Sequence, residues 1–216
     1  MAEYGTAGLS LRGIARELDV TAPALYNYFA RLDDLITALI VDAYTALAEV
    51  LEAADAGQPR ARHAGRLMAV LLAYREWAMA HPVDFSLIYG NPIPGYRAPA
   101  EATTPPAHRG FAVILAILAE ALASGELQPQ PEHLHQPPDL HVRLPSAGET
   151  QAEPVPPAVI YLGVMGWTRI HGMIMLELFN HTDTLVDNHA AFYRHEVESL
   201  LRSIGLSITG EPTHDT

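Results

Sequence analysis

The sequence predicts an all-α protein, and three observations support this fold class. Apolar residues recur every three or four positions along most of the 216-residue chain, which is the spacing of an amphipathic helix. Capping residues, prolines and glycines stand where these apolar stripes begin and end. No segment shows the alternating pattern of a half-buried strand followed by a hairpin turn.

The first two predicted helices are short and lie near the N-terminus. Ser10 can cap a helix that begins at Leu11, and Thr21 can cap a second one with Pro23 in its first turn. Two short helices joined by a tight turn form a helix-turn-helix, whose second helix can lie in a DNA major groove. Asp19 falls in the turn, where its tolerance of left-handed backbone conformation is an advantage.

The apolar positions of this motif predict a small core. Three of them in the first helix are expected to face inward, namely Ile14, Ala15 and Leu18. Leu25 and Phe29 are four positions apart, so they share a face of the second helix and can join that core.

Five longer helices follow, each with its own apolar stripe. The stripes are Leu35, Leu39, Ala43, Leu47 and Val50; Leu67, Val70, Leu71, Tyr74 and Ala78; Phe111, Ile114, Leu115, Leu118 and Leu122; Ile160, Val164, Trp167, His171, Ile174 and Leu178; and Tyr193, Val197, Leu200, Leu201 and Ile204. A helix-turn-helix head followed by a larger helical bundle is the predicted architecture.

Proline and glycine mark the ends of these longer helices. Pro59 is expected to open one helix and His81-Pro82 to close it, and Gly125 is expected to cap the C-terminus of a helix over 107–124. Pro157 can start the next helix, which Asn180-His181 ends.

Two proline-rich segments, residues 90–106 and 128–157, interrupt the helical pattern. Proline at this density disfavours both helix and sheet, so the second segment predicts a long irregular loop.

Composition limits the classes of function. With 49% hydrophobic residues the chain can bury a core, and the absence of cysteine excludes disulfides, thiol catalysis and zinc–thiolate sites. A formal net charge of −12 gives no general attraction to DNA, so any DNA-binding surface must be local. No signal-peptide pattern and no uncharged apolar run of about 18 residues occurs, which favours a cytoplasmic protein without a membrane helix.

Three segments resemble one known family. LSLRGIARELDVTAPALYNYFARLDDLITALI resembles the DNA-binding region of the TetR family of transcriptional regulators. GWTRIHGMIMLELFNH, residues 166–181, resembles the Trp-x-x-x-His-Gly segment of one TetR ligand-domain subfamily, and HPVDFSLIYGNPIPGY, residues 81–96, is similar to the same group. The resemblance implies a ligand-responsive regulator, a repressor by expectation, that binds a palindromic operator in double-stranded DNA as a dimer.

The resemblance also implies which residues meet DNA. Tyr26 and Tyr28 are expected to donate hydroxyls to phosphates, and Arg31 to supply a phosphate contact. The residues expected near base edges or the DNA backbone are Thr21, Ala22, Pro23, Ala24 and Asn27. Asparagine can pair with adenine, and alanine or a threonine methyl can touch a thymine methyl. The other interpretation of the two tyrosines is that they cover the edge of the small core.

Two features disagree with the family pattern. The family places a full helix before the pair, whereas only MAEYG precedes it here, so we expect either a start further upstream or an impaired DNA-binding head. Residues 1–34 also carry three arginines against five acidic residues, and DNA-binding heads are usually basic. The second hypothesis is therefore a helical dimer that binds a small molecule but has lost effective DNA binding through N-terminal truncation.

The resemblance divides the chain into a truncated head, residues 1–32, and a ligand-binding and dimerisation domain, residues 33–216. It implies that helices at about 157–180 and 187–204 pair with their copies in a second subunit. Three glycines inside the first of these helices, Gly163, Gly166 and Gly172, agree with close helix–helix approach, because glycine otherwise weakens a helix.

A cavity between bundle helices is the expected site of a small, largely apolar effector. The residues expected to line it are Tyr74, Trp77, Phe111, Trp167, His171 and Met175. For His171 the favoured alternative is a core histidine satisfied by a hydrogen bond.

The sequence gives weak support for a metal site and none for catalysis. His133, His135 and His141 lie in the proline-rich loop without a fixed carboxylate or cysteine, so a solvated loop is the favoured interpretation. No nucleophile–base set and no phosphate-binding glycine loop occurs, so neither an enzyme nor a cofactor is predicted.

Overall fold

A computed structural model describes residues 10–134 and 155–207 of the chain. Within this part the regular structure is helical, apart from one isolated antiparallel bridge between Leu127 and Leu206, which confirms the predicted fold class. The helices of the described residues are α1 (Leu11–Glu17), α2 (Ala22–Tyr28), α3 (Leu32–Ala56), α4 (His63–Ala80), α5 (Pro82–Tyr89), α6 (Ala100–Ser124), α7 (Pro131–Leu134), α8 (Pro157–Leu178) and α9 (His189–Ser203).

Helix α3 is the frame of the molecule. Its 25 residues contain neither proline nor glycine, so nothing in the sequence breaks or kinks it. It packs mainly on α6 and α4, while α8 and α9 close the bundle against α4 and α6. One core cluster runs through all these helices and reaches Leu206, next to the end of α9.

Four of the predicted end signals are confirmed. Ser10 Oγ accepts a hydrogen bond from the Gly13 amide at 3.1 Å, and Thr21 Oγ1 accepts one from the Ala24 amide at 3.3 Å. Asp19 adopts the left-handed conformation with φ 53°, and Gly125 caps α6 with φ 79°. These side chains and conformations satisfy backbone groups that a helix end leaves unpaired.

The predicted inner face of α3 is partly wrong. Leu39 and Val50 are exposed, and the buried face is rotated by one position. The buried residues are Ile36, Ile40, Ala43, Leu47, Ala48 and Leu51. Two neighbouring rows of α3 are apolar, so the sequence offers two candidate stripes. Packing against α6 decides between them: a Cβ atom on Gly110 would lie 3.3 Å from Leu51.

The predicted break over residues 90–106 is also partly wrong, because α6 includes Pro105 and Pro106. Each proline removes one backbone hydrogen bond of the helix. Both lie in the second turn, and the first turn is fixed independently by Thr103 Oγ1, which donates to the Pro99 carbonyl at 2.9 Å. The helix therefore tolerates the proline pair near its N-terminus.

Two further expectations need correction. Helix α4 begins at His63 rather than at Pro59, whose carbonyl instead accepts from the Arg62 amide in a turn at 2.9 Å. The segment 128–157 is not wholly irregular, because α7 forms one helical turn that packs on α8.

Helices α6 and α8 are long and apolar enough to cross a membrane, a criterion that the core helices of soluble proteins also meet. Here α6 packs on α3 and on α8. The expectation of no membrane helix stays a prediction.

A buried arginine joins three helices at the end of the bundle where α3 ends, which is the end away from the helix-turn-helix. Arg66 of α4 has an exposed fraction of 0%. It donates to both carboxylate oxygens of Asp55 in α3, at 2.6 and 3.1 Å, and to Glu120 of α6 at 2.5 Å. The hydrogen bond from Arg66 is the main reason that the pKa of Asp55 lies below its usual value. Arg60 pairs with the same two carboxylates from the surface.

Candidate functional site in the helix-turn-helix and the bundle cavity

Helices α1 and α2 have seven residues each and pack on one another. The turn between them closes with a hydrogen bond from the Val20 amide to the Ala15 carbonyl at 3.0 Å. Leu18, expected in the core, is 62% exposed, because α1 ends at Glu17 and the left-handed residue that follows turns the chain away. Such short helices bury little, and Ala15 and Leu11 are their fully buried residues.

Helix α2 presents a compact surface that carries the predicted DNA-contacting residues. Tyr28 is 82% exposed and Tyr26 is also exposed, so neither tyrosine is buried under the bundle. The other exposed members of the set are Thr21, Pro23, Asn27 and Arg31, and the half-buried members are Ala22 and Ala24. The structure thus brings all eight residues to one helix and its two flanks.

The inward side of α2 follows the prediction less closely. Leu25 and Phe29 are half-buried rather than buried. Phe29 also lies outside α2, in extended conformation with φ −131°, although its amide still donates to the Leu25 carbonyl at 3.0 Å. The two side chains face the interior of the motif from a helix and from its C-cap.

Arg31 stands at the junction of α2 and α3. Its guanidinium lies 3.4 Å from an oxygen of Asp33 and 3.9 Å from one of Asp34, and the side chain is mostly exposed. Exposed pairs of this kind contribute little, so the guanidinium remains available to a phosphate. Asp34 accepts the Arg31 amide at 2.9 Å, where a negative charge favours the start of α3.

A cavity of about 310 Å³ lies inside the bundle. It is bounded by α3, α4, α5, α6 and α8, and its wall is mostly apolar and aromatic. The wall residues are Tyr44, Leu47, Leu51, Tyr74, Tyr89, Pro106, Ala107, His108, Gly110, Phe111, Ile114, Val164 and Trp167.

Half of the predicted ligand-binding set belongs to this wall. Tyr74, Phe111 and Trp167 line the cavity, whereas Trp77, His171 and Met175 do not. Trp77 is buried and its ring centroid lies 5.4 Å from that of His81 at the end of α4. Met175 packs against the core cluster from α8.

His171 lies behind the wall and is bonded to it. Its Nδ1 is 2.7 Å from the Tyr74 hydroxyl, and the ring packs against Tyr89 and Phe85 at centroid distances of 4.7 and 5.5 Å. Burial lowers the pKa of His171, so the neutral ring is favoured at neutral pH. This is the geometry of a core histidine with a satisfied hydrogen bond.

Two hydrogen bonds connect the head-proximal part of α3 to neighbouring segments. The Tyr44 hydroxyl donates to the Ile88 carbonyl of α5 at 3.2 Å. Nearer the head, the Thr37 and Tyr96 hydroxyls are 2.9 Å apart, which ties α3 to the segment that follows α5. Helix α3 therefore contacts both the cavity and the segments around it while it continues into the head.

The outer side of α8 and α9 exposes apolar side chains. Leu176, Phe179 and Phe192 are all exposed. A Cβ atom on Gly172 would meet no atom within 4 Å, so nothing among the described residues packs against this glycine. Gly163, by contrast, is buried, with Leu115 of α6 only 2.5 Å from the position of such a Cβ atom.

The histidine loop is only partly within the structure. His133 lies in α7, and His135 and His141 fall outside the described residues. Within the described ranges, no three His, Asp or Glu side chains form a group that could hold a metal ion.

Sequence reasoning missed two polar wall residues. Tyr44 lies next to the apolar stripe predicted for α3. It was missed because the predicted buried face of α3 was wrong by one position. His108 lies inside the helix predicted over 107–124, but its polar side chain does not extend the apolar stripe that begins at Phe111. Neither residue has a local signal, because the wall is assembled from helices that are distant in sequence.

Comparisons with known proteins agree with this geometry. Residues 1–39 match the family model of bacterial regulatory proteins of the tetR family, and residues 67–200 match that of the tetracyclin repressor-like C-terminal domain. The HTH-type transcriptional regulator Rv1816 of Mycobacterium tuberculosis is 31% identical over 192 residues, which cover 88% of this chain and 81% of the relative. A counterpart in Mycobacterium bovis matches equally.

Solved structures give the same result. A crystal structure described as that of the regulatory protein SCO4313 superposes with a TM-score of 0.71 at 33% identity, covering 93% of this chain and 89% of the other. A regulatory protein in the tetR family from Rhodococcus RHA1 shares the fold alone, with a TM-score of 0.63 at 15% identity over 94% of this chain and 89% of that one. The chain therefore belongs to the TetR family of DNA-binding transcriptional regulators.

Proposed function

We propose that this chain is an effector-responsive repressor, which binds a palindromic operator as a homodimer and releases it when a small, largely apolar molecule enters the bundle cavity. The observation that carries the proposal is the continuity of α3. The helix begins at Leu32, four residues after α2 ends, and its middle supplies Tyr44 and Leu47 to the cavity wall. A change in the cavity can thereby be carried along one rigid element to residues 29–31, which join it to the recognition helix.

Helix α2 is the proposed recognition helix. Tyr26 and Tyr28 are exposed and offer hydroxyls to phosphates, while Asn27 between them is placed to read a base edge. The Thr21 oxygen already accepts the Ala24 amide, which leaves its hydroxyl hydrogen free to donate to DNA. In this proposal the head comprises residues 1–32 and the effector and dimer domain residues 33–216.

The proposed dimer forms through α8 and α9. Exposed Leu176 and Phe192 would be buried by a second copy. A Cβ atom on Gly172 would meet no atom of the described residues within 4 Å, so this glycine would permit close approach of the two α8 helices. Glycine inside a helix costs about 1 kcal/mol relative to alanine, and burial at a dimer interface is a compensation for that cost. A two-fold dimer presents two α2 helices to two operator half-sites.

The proposed effect of the small molecule on operator binding follows from thermodynamic linkage between the two binding events. A molecule that binds the cavity more tightly in the released conformation than in the DNA-bound one shifts the population away from operator binding. We place the protein in the cytoplasm, where its operator is, and assign it a regulatory rather than a catalytic role.

The test is a gel-shift titration of the chain against the intergenic DNA next to its gene. We expect sequence-preferring binding that weakens as salt rises, with a loss of about 1–3 kcal/mol on Asn27→Ala, because a base contact has been removed. A matched amide variant beyond the far end of α6, Gln128→Ala, should bind like the wild type. Binding that ignores sequence, or that is equal for the two variants, contradicts the proposed recognition helix.

A further inference from the structure

The cavity wall contains a polar atom that the chain leaves without a partner. His108 belongs to the wall, and its Nδ1 is buried yet makes no hydrogen bond with any residue in the described part of the chain. Buried polar atoms of native proteins almost always have a partner, because an unpaired one keeps the cost of desolvation without compensation. A hydrogen-bonding group on a bound molecule would supply the missing partner.

Two other polar groups of the wall are already engaged. The Tyr74 hydroxyl is bonded to His171 Nδ1 at 2.7 Å, and the Tyr44 hydroxyl donates to the Ile88 carbonyl at 3.2 Å. A ligand would have to break one of these bonds to use either hydroxyl. His108 Nδ1 has no bond to break, and a turn of the imidazole ring would bring this buried atom to the cavity.

The wall offers no permanently charged side chain to an ion. Its described residues include no carboxylate, arginine or lysine. Burial raises the pKa of Tyr74 and of Tyr89, so both phenols stay protonated and supply no anion at neutral pH. A charged molecule would lose its hydration here without an ion pair, which is strongly unfavourable.

The shape and chemistry of the remaining wall favour rings. Five aromatic side chains, from Tyr44, Tyr74, Tyr89, Phe111 and Trp167, surround the space. Aromatic groups stack on or meet such rings edge to face. The volume of about 310 Å³ equals that of about ten water molecules, which suits two fused or linked rings.

We propose that the effector is a neutral, largely aromatic molecule with one hydrogen-bonding group, and that His108 Nδ1 is the specificity-determining partner of that group. This inference rests on the proposed function in taking the cavity to be the effector site. It adds the charge, the ring character and the single polar contact of the ligand.

Four probes that share a biphenyl body test the ligand class: 4-phenylphenol, biphenyl, biphenyl-4-carboxylate and 4-phenylbenzylammonium. Their affinities are measured by displacement of the neutral dye Nile red from the full chain. Ala107→Phe, which fills the cavity from α6, serves as the control that the dye reports this site. We expect 4-phenylphenol to bind most tightly and the two ions to bind at least about tenfold more weakly.

Three variants test the role of His108. His108→Phe keeps a ring but removes the nitrogen, and should weaken 4-phenylphenol about tenfold while leaving biphenyl within about twofold. His108→Asn places an amide near the Nδ1 position and should restore most of the phenol affinity. His133→Phe, at a histidine of α7 outside the cavity, is the matched control and should change neither affinity. Unchanged biphenyl binding also reports that each variant is folded.

The outcomes separate this inference from the proposed function. Three results would overturn the ligand inference. In the first, His108→Phe lowers the affinities for 4-phenylphenol and biphenyl equally. In the second, the two ions bind as tightly as the phenol, and in the third, no probe displaces the dye. Selective, His108-dependent binding of 4-phenylphenol that leaves operator affinity unchanged upholds the ligand class and contradicts effector-controlled release. Operator binding with no selectivity among the probes overturns the ligand inference alone.

Discussion

Replacement of Arg66 by methionine should destabilise the bundle by about 3 kcal/mol. The guanidinium is fully buried and donates to Asp55, to Glu120 and to the Arg60 carbonyl. Removing one partner of a buried ion pair costs about 3–5 kcal/mol, because the other charge is left without compensation. The lower limit applies here, because Arg60 still pairs with both carboxylates, at 2.9 and 2.7 Å, and Glu120 is partly hydrated. For a chain of 216 residues this corresponds to a fall in Tm of about 6–12 °C.

Circular dichroism melts at fixed protein concentration provide the assay, with Arg60→Met as the matched control. The Arg60 side chain is 63% exposed, so its loss should cost no more than about 1 kcal/mol. The hydrogen bond from Arg66 lowers the pKa of Asp55 below 3.8. The stabilisation that this hydrogen bond gives to the folded state is therefore complete when the pH is well above 3.8. It is lost as the pH falls through the pKa of Asp55 in the folded state. The difference in stability between wild type and Arg66→Met should be constant above about pH 5 and should narrow as the pH falls below about 4. Equal effects of the two variants, or a gap that does not depend on pH, would refute the reasoning.

Three other predictions concern the head and the proposed dimer. Arg31→Ala should reduce the slope of log K for operator binding against log salt concentration by about 2, because a dimer loses two phosphate contacts. Tyr28→Phe should weaken binding without a change in this slope, because a hydroxyl releases no counterion. Quantitative gel shifts over a salt series measure both, and equal slopes in the two variants would contradict these roles. Asp19→Gly should raise the free energy of unfolding by up to about 1 kcal/mol in chemical denaturation, since φ is 53° there, and a loss of stability would contradict strain at the turn. Gly172→Leu should shift the chain toward monomer in sedimentation velocity, and a persistent dimer would exclude α8 packing at this glycine.

The sequence was most informative about helix ends, where the role of a residue depends on its near neighbours in the chain. Ser10, Thr21 and Asp19 sit at helix ends, and their roles depend on backbone groups within three or four positions. Gly125 ends α6 for the same reason, because glycine adopts the left-handed conformation at little cost. Such features are readable without knowledge of the rest of the fold.

Sequence reasoning failed where distant segments decide the structure. Ile36 and Leu39 are both apolar, and only packing against the other helices determines that the first is buried and the second exposed. The sequence does not indicate which of the 13 arginines is buried, because Arg66 depends on carboxylates 11 and 54 positions away. The prediction of the cavity wall missed Tyr44 and His108 for the same reason, because only the folded chain brings both residues to one cavity.

Because α3 is unbroken, a tilt of this helix at the cavity displaces its N-terminal end by an amount that can be calculated. From Tyr44 in the cavity wall to Leu32 at the start of the helix there are 12 residues, or about 18 Å at 1.5 Å per residue. Each degree of tilt about Tyr44 therefore displaces Leu32 by about 0.3 Å, and a tilt of about 5° displaces it by about 1.6 Å. In a two-fold dimer the two displacements add when they are opposed, so an angular change too small to disturb the core moves the paired heads apart by about 3 Å.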